Sequence, residues 1–172
     1  LYTKNKPNKN FLTNPTPEYS NNLETWFTNL YKFDFISSQF ALQFAFKNKT
    51  SIKHFFNNIN KSLSDNGIFF CTFPDGDSLF NKFKLENSDS FTVDSSVNEK
   101  TIATFTISPK TLKFINKHDS FNDIPNDKKL GIELEVTTPS FNETAIREYF
   151  VNKELLIKYA EENNLKVLDD YT

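Results

Sequence analysis

The 172-residue chain has one cysteine, three glycines, no methionine and no apolar run long enough to span a bilayer. The single cysteine, Cys71, excludes an internal disulfide and a multi-cysteine zinc site, and it fits a reducing compartment. Gly67, Gly76 and Gly131 stand alone, so the chain lacks the glycine-rich turns that cradle phosphates or dinucleotides. Its polar first residues do not resemble a signal peptide. The sequence therefore predicts a soluble chain.

Side chains suited to hydrolysis or metal binding are also sparse. His54 and His118 have no further His, Cys or paired carboxylate at ligand spacing. Asp75 and Asp77, in the turn PDGD, fit a turn and a helix N-cap better than a cation site. Cys71 lies among apolar residues, which predicts a buried, unreactive thiol. We therefore expect neither hydrolysis nor phosphoryl transfer by this chain.

Length and charge narrow the class of protein further. A chain of 172 residues corresponds to one domain and can bury a sizeable core. The formal net charge of -2 argues against binding nucleic acid along its whole backbone, which needs clustered Lys and Arg. It leaves room for a local contact with one nucleotide.

The first half of the chain has the pattern of a βαβα unit. Residues 1–22 read as a loop-like lead-in, and residues 23–31 as a short helix. Residues 33–40 (FDFISSQF) and 68–73 (IFFCTF) have the apolar character of buried parallel strands. Between them a helix is predicted from one apolar face and from its stop at Asn66-Gly67; that face carries Ile52, Phe55, Phe56, Ile59 and Leu63. A second helix, with Leu79, Phe80 and Phe83 on one side, follows PDGD and completes the portion 23–85.

The order of elements changes after residue 85. Residues 86–100 are polar and predict a loop, and TIATFTI and LGIELEVTT predict antiparallel strands. NKELLIKYAEEN predicts a helix with Leu155, Leu156, Tyr159 and Ala160 on its face, and LKVLDD predicts a last strand. We therefore expect one α/β domain over 1–172, with a parallel portion followed by antiparallel strands and a C-terminal helix over 86–172.

The stretch FDFISSQFALQFAF keeps Gln39 and Gln43 in the most apolar run of the chain. A buried amide without partners costs roughly 1–3 kcal/mol, so either the fold or a ligand must satisfy them. In open α/β sheets ligands bind outside the carboxyl ends of the strands, and residues 39–44 and 74–77 both fall at such ends. Packing with backbone partners is the alternative to a ligand site.

This stretch resembles the signature strand of the mRNA cap guanine-N7 methyltransferases, F-D-hydrophobic-hydrophobic-S-x-Q-F-x-x-H-Y-x-F. GIFFCTFPDGD is similar to the family's next strand and its T-x-P-(N/D) end, and IREYFVNKELLIKYAEENNLKVLDD is similar to its PEYLV…L…A…GL segment. The matches occur in order over about residues 33–170. The resemblance implies a class I S-adenosylmethionine-dependent methyltransferase fold, a Rossmann-like sheet with antiparallel C-terminal strands.

The resemblance also implies roles for individual residues. Gln39, with its neighbours Ser38 and Phe40, would hold the methyl donor, S-adenosylmethionine. Gln43 stands where the family has a His that contacts the cap guanine. Phe44 replaces a Tyr that lies between donor and guanine. Pro74 would line the same pocket, Glu148 would accept from guanine N1–H and N2–H, and Tyr149 would be packing. No catalytic acid or base and no metal is implied, because methyl transfer to guanine N7 needs mainly proximity and orientation.

The chain also departs from the family pattern. Gln43 for His and Phe44 for Tyr remove two polar contacts and put guanine selectivity in question. The family's glycine-rich donor loop and basic N-terminal helix have no counterpart, and its acidic residue beside the donor adenine corresponds to Asn14. Together with the missing initial Met, this predicts that the chain is the carboxyl-terminal two-thirds of the domain.

The sequence thus predicts a cap guanine-N7 methyltransferase that transfers a methyl group from S-adenosylmethionine to GpppRNA during mRNA capping. The alternatives are a catalytically silent methyltransferase-like subunit of a capping enzyme, and a methyltransferase of the same fold with another substrate. The expected partners are capped mRNA and other capping-enzyme domains or subunits, with no membrane. The expected location is the cytoplasm if the protein is viral and the nucleus if it is cellular.

Overall fold

The computed structural model describes residues 32–97, 100–141 and 144–168. These residues form six strands and four α-helices. The strands are β1 (Phe33–Gln39), β2 (Leu63–Thr72), β3 (Ser90–Asp94), β4 (Thr101–Thr106), β5 (Glu133–Thr137) and β6 (Ile146–Tyr149). The helices are α1 (Lys49–Ser62), α2 (Gly76–Glu86), α3 (Pro109–Ile115) and α4 (Lys153–Glu161), and 3-10 helices cover Leu42–Lys47 and Pro139–Phe141.

Strands β1 and β2 form a parallel pair joined through α1, as the sequence predicts. Their register places Ser37 opposite Phe70 and Gln39 opposite Thr72. Parallel strands need a crossover of this kind, and the apolar runs of both strands supply side chains for α1 to cover. The carboxyl ends of β1 and β2 therefore lie side by side.

Helix α1 buries one face and ends earlier than the sequence suggests. Asn48 caps it by accepting from the Ser51 amide at 2.9 Å, and the helix ends at Ser62. The predicted stop at Asn66-Gly67 is wrong. The backbone is extended from Leu63, and Asn66, at φ +62°, lies in an irregular start of β2 where the register with β1 shifts.

A second sheet is antiparallel, in the order β3-β4-β5-β6. The predicted strands at TIATFTI and LGIELEVTT are confirmed as β4 and β5. The predicted loop over 86–100 is wrong in part, because residues 90–94 form the edge strand β3. Its Phe91 is buried while Thr92 and Val93 are exposed, and the exposed Thr92 hydroxyl meets that of Thr104 at 3.2 Å. An edge strand with one polar face resembles a loop in sequence.

Helix α2 packs under the antiparallel sheet. Asp75 caps it by accepting from the amides of Asp77 and Ser78, which confirms the structural interpretation of PDGD. The Phe80 ring stacks on Phe121 with centroids 5.4 Å apart, and both rings are buried. Fully burying a ring of this size stabilises by about 1.5–3 kcal/mol.

The end of the chain differs from expectation in two places. Helix α4 is confirmed, with the Asn152 side chain accepting from the Leu155 amide at 3.0 Å. The predicted strand LKVLDD is wrong over 165–168, which have no regular structure. The sequence reasoning missed strand β6 and helix α3. The predicted lead-in 1–22, the helix 23–31 and residues 169–170 lie outside the described residues.

Two hydrophobic clusters meet at the end of β6, where Tyr149 enters one and Phe150, the next residue, enters the other. One cluster holds α2 against the antiparallel sheet and includes Phe80, Phe83 and Phe150. The other joins α1, α4 and the first 3-10 helix, and includes Phe56, Leu155 and Tyr149. Because side chains alternate along a strand, the adjacent residues Tyr149 and Phe150 enter different clusters.

The α/β fold class, with a parallel sheet followed by antiparallel strands, is thus confirmed. Tyr149 packs in a core, as expected. In the part of the chain that the structure describes, no helix is both long and apolar enough to cross a membrane.

Candidate functional site

Three segments converge beyond the carboxyl ends of the parallel strands. Past the end of β1, the Phe40 amide donates to the Thr72 carbonyl of β2 at 2.9 Å. The segment after β2 meets the segment after β6, where Asp75 and Val151 form a parallel bridge and the Gly76 amide donates to the Val151 carbonyl at 3.1 Å. The ends of β1, β2 and β6 are therefore fixed relative to one another by backbone hydrogen bonds.

Gly76 allows the close approach of these segments. A Cβ built on Gly76 would lie 2.2 Å from the Val151 carbonyl oxygen, far inside any ordinary contact. Its φ is not in the left-handed region, so the position requires the absence of a side chain rather than an unusual dihedral angle.

Gln39 ends β1 with its amide satisfied by neighbouring hydroxyls. Its Nε2 donates to the Ser37 Oγ at 2.8 Å, and its Oε1 accepts from the Thr72 Oγ1 at 2.7 Å. The side chain is exposed, and Ser38 beside it is half-buried. Gln39 is thus held in one orientation at the strand end without burial.

Gln43 has a different environment. It lies in the 3-10 helix Leu42–Lys47 with an exposed fraction of 1%. Its Nε2 donates to the Phe40 carbonyl at 2.8 Å, but its Oε1 is buried without any hydrogen-bond partner among the described residues. A buried acceptor without a donor costs about 1–3 kcal/mol, so this oxygen is suited to a donor from outside the chain.

Glu148 lies beside Gln43. Strand β6 packs against the 3-10 helix, and the Glu148 side chain is 8% exposed, so it is not a solvated acid. Burial raises the pKa of the Glu148 carboxyl, and the nearby Gln43 side chain offsets part of that rise. Gln43 and Glu148 are thus neighbouring buried polar residues, and the Gln43 Oε1 lacks a hydrogen-bond partner.

Two aromatic residues close to Gln43 along the chain are exposed. Phe40 is 64% exposed and Phe44 is 44% exposed, although both are large and apolar. Phe40 has φ +46°, a left-handed conformation that is uncommon for a bulky residue and concentrates at functional positions. Pro74, across from β1, is half-buried. Exposed rings next to buried acceptors can stack on a planar ligand whose edge carries donors.

A polar network supports the segment that follows β6. Asn152 is fully buried, and its Nδ2 donates to the Asn122 Oδ1 at 2.8 Å and to the Asp77 Oδ1 at 3.3 Å. Desolvation raises the pKa of Asp77, and a backbone hydrogen bond from Lys153 acts against that rise. The sequence reasoning missed Asn152, although an Asn directly before KELL is a recognisable N-cap.

The remaining candidates lie outside this arrangement. His54 is exposed on α1, and the His118 ring packs on Phe114 with centroids 4.9 Å apart. Cys71 is half-buried in β2 rather than fully buried as predicted, and burial raises the pKa of its thiol, which disfavours the reactive thiolate. Within the described ranges, no group of three or more His, Cys, Asp or Glu side chains is placed to hold a metal ion.

A comparison with protein families identifies the fold. The model of the mRNA (guanine-N(7))-methyltransferase domain matches residues 8–171. The chain belongs to this family. The resemblance found in the strand FDFISSQ and its neighbouring segments is therefore confirmed.

A similar curated protein points the same way. The chain is 28% identical over 149 residues to a protein of Acanthamoeba polyphaga mimivirus described as a "Probable mRNA-capping enzyme". The match covers 85% of this chain and 12% of that protein. The chain thus spans a small part of the length of this relative, and the methyltransferase-family domain described here corresponds to that part.

Of the residues predicted for the guanine side, the structure places Gln43 next to Glu148, because β6 packs against the 3-10 helix. Phe44 follows Gln43 in the same 3-10 helix, and Pro74 directly precedes Asp75, which bridges to Val151 after β6. The residues predicted for the donor side lie at the end of β1: Ser38 and Gln39 are its last two residues, and Phe40 follows directly. Their roles toward ligands remain predictions.

Proposed function

We propose that this chain is part of a cap guanine-N7 methyltransferase, which methylates N7 of the terminal guanine of GpppRNA during mRNA capping. The observation that carries the proposal is the buried pair Gln43 and Glu148, with its unpartnered acceptor, at the carboxyl ends of the strands. Membership of the methyltransferase family supports the reaction class.

The guanine edge and the protein site have complementary hydrogen-bonding groups. The Watson–Crick edge of guanine presents two donors, N1–H and N2–H, next to each other. The Glu148 carboxylate accepts from both in charge-assisted hydrogen bonds, and the Gln43 Oε1 offers a further acceptor. Adenine presents an acceptor at N1 instead, so the same pair disfavours it. Pro74 and Phe44 line the faces of the base.

The donor side would be formed by the end of β1. S-adenosylmethionine supplies, when bound, a methyl group already activated on a sulfonium. Gln39 fits its methionine part because Ser37 and Thr72 hold the amide in a fixed, exposed orientation. Ser38 and Phe40 flank that amide along the chain, and Phe44, whose ring is exposed, would lie between the two ligands. Guanine N7 is unprotonated, so the chain needs to position the ligands and needs no general base.

One observation favours a second candidate, a silent methyltransferase-like subunit of a capping enzyme. The Gln39 amide has both of its groups satisfied by Ser37 and Thr72, so it needs no donor molecule. If the chain is a silent subunit, neither S-adenosylmethionine nor the cap guanine would depend on Gln39, Gln43 or Glu148 for binding. Methyl transfer to GpppA-ended RNA separates the two candidates.

The test uses the complete protein that contains this chain, with GpppA-ended RNA as methyl acceptor. Glu148→Gln keeps the shape of the side chain but aims an N–H donor at the guanine donors. We expect kcat/KM for capped RNA to fall by about 5- to 150-fold, equivalent to about 1–3 kcal/mol. S-adenosylmethionine affinity should change little.

The matched control is Glu135→Gln, an exposed carboxylate on the neighbouring strand β5. It should leave kcat/KM within about twofold of wild type, a change of roughly 0.4 kcal/mol. A Glu148→Gln protein that stays within the same twofold would remove Glu148 from the guanine site. A wild-type protein that transfers no methyl group to GpppA-ended RNA would favour the silent subunit.

A further inference from the structure

A groove lined by four lysines adjoins the 3-10 helix that carries Gln43. It is formed by the end of that helix, the start of α1, the loop before β5 and residues of α4, and it has a volume of about 440 Å³. Its cationic residues are Lys47, Lys49, Lys53 and Lys158. Asp127 and Glu162 also line the groove.

The four lysines are not used by the fold as ion pairs. Among the described residues, none of the four ammonium groups forms a salt bridge, not even with the two acids of the groove. All four residues are exposed. Although the chain has a net charge of -2, the groove has four lysines against two acids and is locally positive.

The placement of two of these lysines is unfavourable for the isolated chain. Lys49 and Lys53 are four residues apart on α1, so they face each other across one helical turn and repel. They also lie near the helix N-terminus, where the macrodipole disfavours cations, and the first turn contains no acidic residue to offset them. An anion in the groove would relieve both effects.

The groove and the candidate guanine site share one element, the 3-10 helix. Gln43 and Lys47 belong to the same 3-10 helix and lie four residues apart, which corresponds to about 8 Å along its axis. A stacked nucleic-acid strand advances about 3.4 Å per nucleotide, so about two nucleotides cover that distance. A capped RNA whose guanine reaches Gln43 and Glu148 can thus extend its phosphates over the lysines.

We propose that this groove binds the RNA chain that follows the cap, with Lys47, Lys49, Lys53 and Lys158 contacting its phosphates. This inference rests on the proposed function for its direction, since the groove is assigned to the RNA attached to the methylated guanine. The contacts are to the backbone, so they raise affinity for long capped RNA without reading its sequence.

The test compares two ligands on the complete protein: a GpppA-ended 20-nucleotide RNA and the GpppA dinucleotide. The variant replaces Lys49, Lys53 and Lys158 by Ala. Each phosphate contact to a single strand contributes about -0.7 to the slope of log affinity against log salt, so three lost contacts reduce the slope by about 2. At 0.1 M salt we expect affinity for the 20-mer to fall on the order of a hundredfold, while the dinucleotide binds as to wild type.

Two further variants control for charge and folding. The replacement of Lys110, Lys113 and Lys117 by Ala removes the same charge from exposed positions at α3 and its following turn, and it should cost less than about threefold for the 20-mer. Replacing the groove lysines by Arg keeps the charge and should restore the affinity and the salt slope.

The outcomes separate this inference from the proposed function. Equal losses in the groove and control variants, or an equal loss for the 20-mer and the dinucleotide, would overturn the groove assignment. A wild-type protein that neither binds nor methylates the dinucleotide, yet binds RNA through the groove lysines, would overturn the proposed function while leaving the groove as an RNA-binding surface.

Discussion

Replacing Gly76 by Ala tests whether the junction between the PDGD segment and the end of β6 is as close as the structure indicates. The new Cβ would meet the Val151 carbonyl oxygen at 2.2 Å, about 1.2 Å short of the 3.4 Å at which ordinary contacts begin. Either α2 or the segment after β6 must move. The hydrogen bond from the Gly76 amide to the same oxygen would then be lost.

The expected change in the free energy of unfolding for Gly76→Ala is the sum of opposing effects. Overpacking costs about 1–3 kcal/mol, and the lost hydrogen bond about 0.5–1.5 kcal/mol. Ala is the better helix former by at most about 1 kcal/mol, and by less at the first position of a helix. We therefore expect a net destabilisation of about 2 kcal/mol. Helix propensity alone predicts the opposite sign, a small stabilisation.

Urea denaturation followed by circular dichroism measures the effect. With an m-value of about 2 kcal/mol/M, the midpoint should fall by about 1 M. Gly131→Ala is the matched comparison, since Gly131 needs its φ of +75° and a Cβ there would lie 3.1 Å from the Lys47 carbonyl. Its expected cost is about 1–2 kcal/mol from the left-handed dihedral angle. A Gly76→Ala protein with an unchanged or raised midpoint would refute the close junction.

Two further predictions concern the buried polar groups. Because burial raises the pKa of Glu148 above its ordinary 4.5, the native state holds more protons than the unfolded chain between those two pKa values, and stability falls as pH rises through that window. Glu148→Gln should therefore be more stable than wild type at pH 7, and the difference in urea midpoint should vanish near pH 4; a difference independent of pH would contradict this account. Asn152→Ala removes the cap of α4 and leaves the Asn122 and Asp77 oxygens without their shared donor, so thermal or urea unfolding should show a loss of about 2–4 kcal/mol. Asn163→Ala, which removes one half-buried hydrogen bond to the Tyr159 carbonyl, should cost no more than about 1.5 kcal/mol, and an equal loss for both would reject the network.

The parallel half of the fold could be predicted from the sequence because its signals are local. The face of α1 repeats at helical spacing, and the strands on either side are apolar runs of strand length. The predicted C-terminal end of α1 was wrong. Leu63 continues the apolar face and is buried, but it lies in β2, and a buried extended residue satisfies the same pattern as a buried helical one.

The antiparallel half was less predictable because its strands are short and polar on one face. Strand β6 has four residues, and its Arg147 and Glu148 look like an exposed charged pair. Only its pairing with β5 and its contact with the 3-10 helix bury Glu148. Helix α3 did carry a readable signal, since Ser108 caps it and Pro109 stands at its first position.

The candidate site combines both kinds of information. Gln39 and Gln43 look equivalent in the sequence, as polar residues within one apolar run. The structure separates them: Gln39 is exposed with both groups satisfied, while Gln43 is buried with an orphan acceptor. That difference depends on the Thr72 and Phe40 positions, which are set by tertiary pairing. No local sequence pattern distinguishes Gln39 from Gln43 in this way.

The pair formed by Gln43 and Glu148 makes the free chain less stable than an apolar pair of the same volume would. It buries a carboxylate whose pKa is raised by desolvation and an oxygen with no donor, and each is unfavourable without a ligand. Nothing in the packing of β6 against the 3-10 helix requires polar side chains, because their neighbours Leu42, Tyr149 and Phe150 fill the two cores. A ligand edge with adjacent donors would satisfy both groups at once. Under the proposed function, the cost in stability and a selectivity for guanine would therefore have the same physical origin.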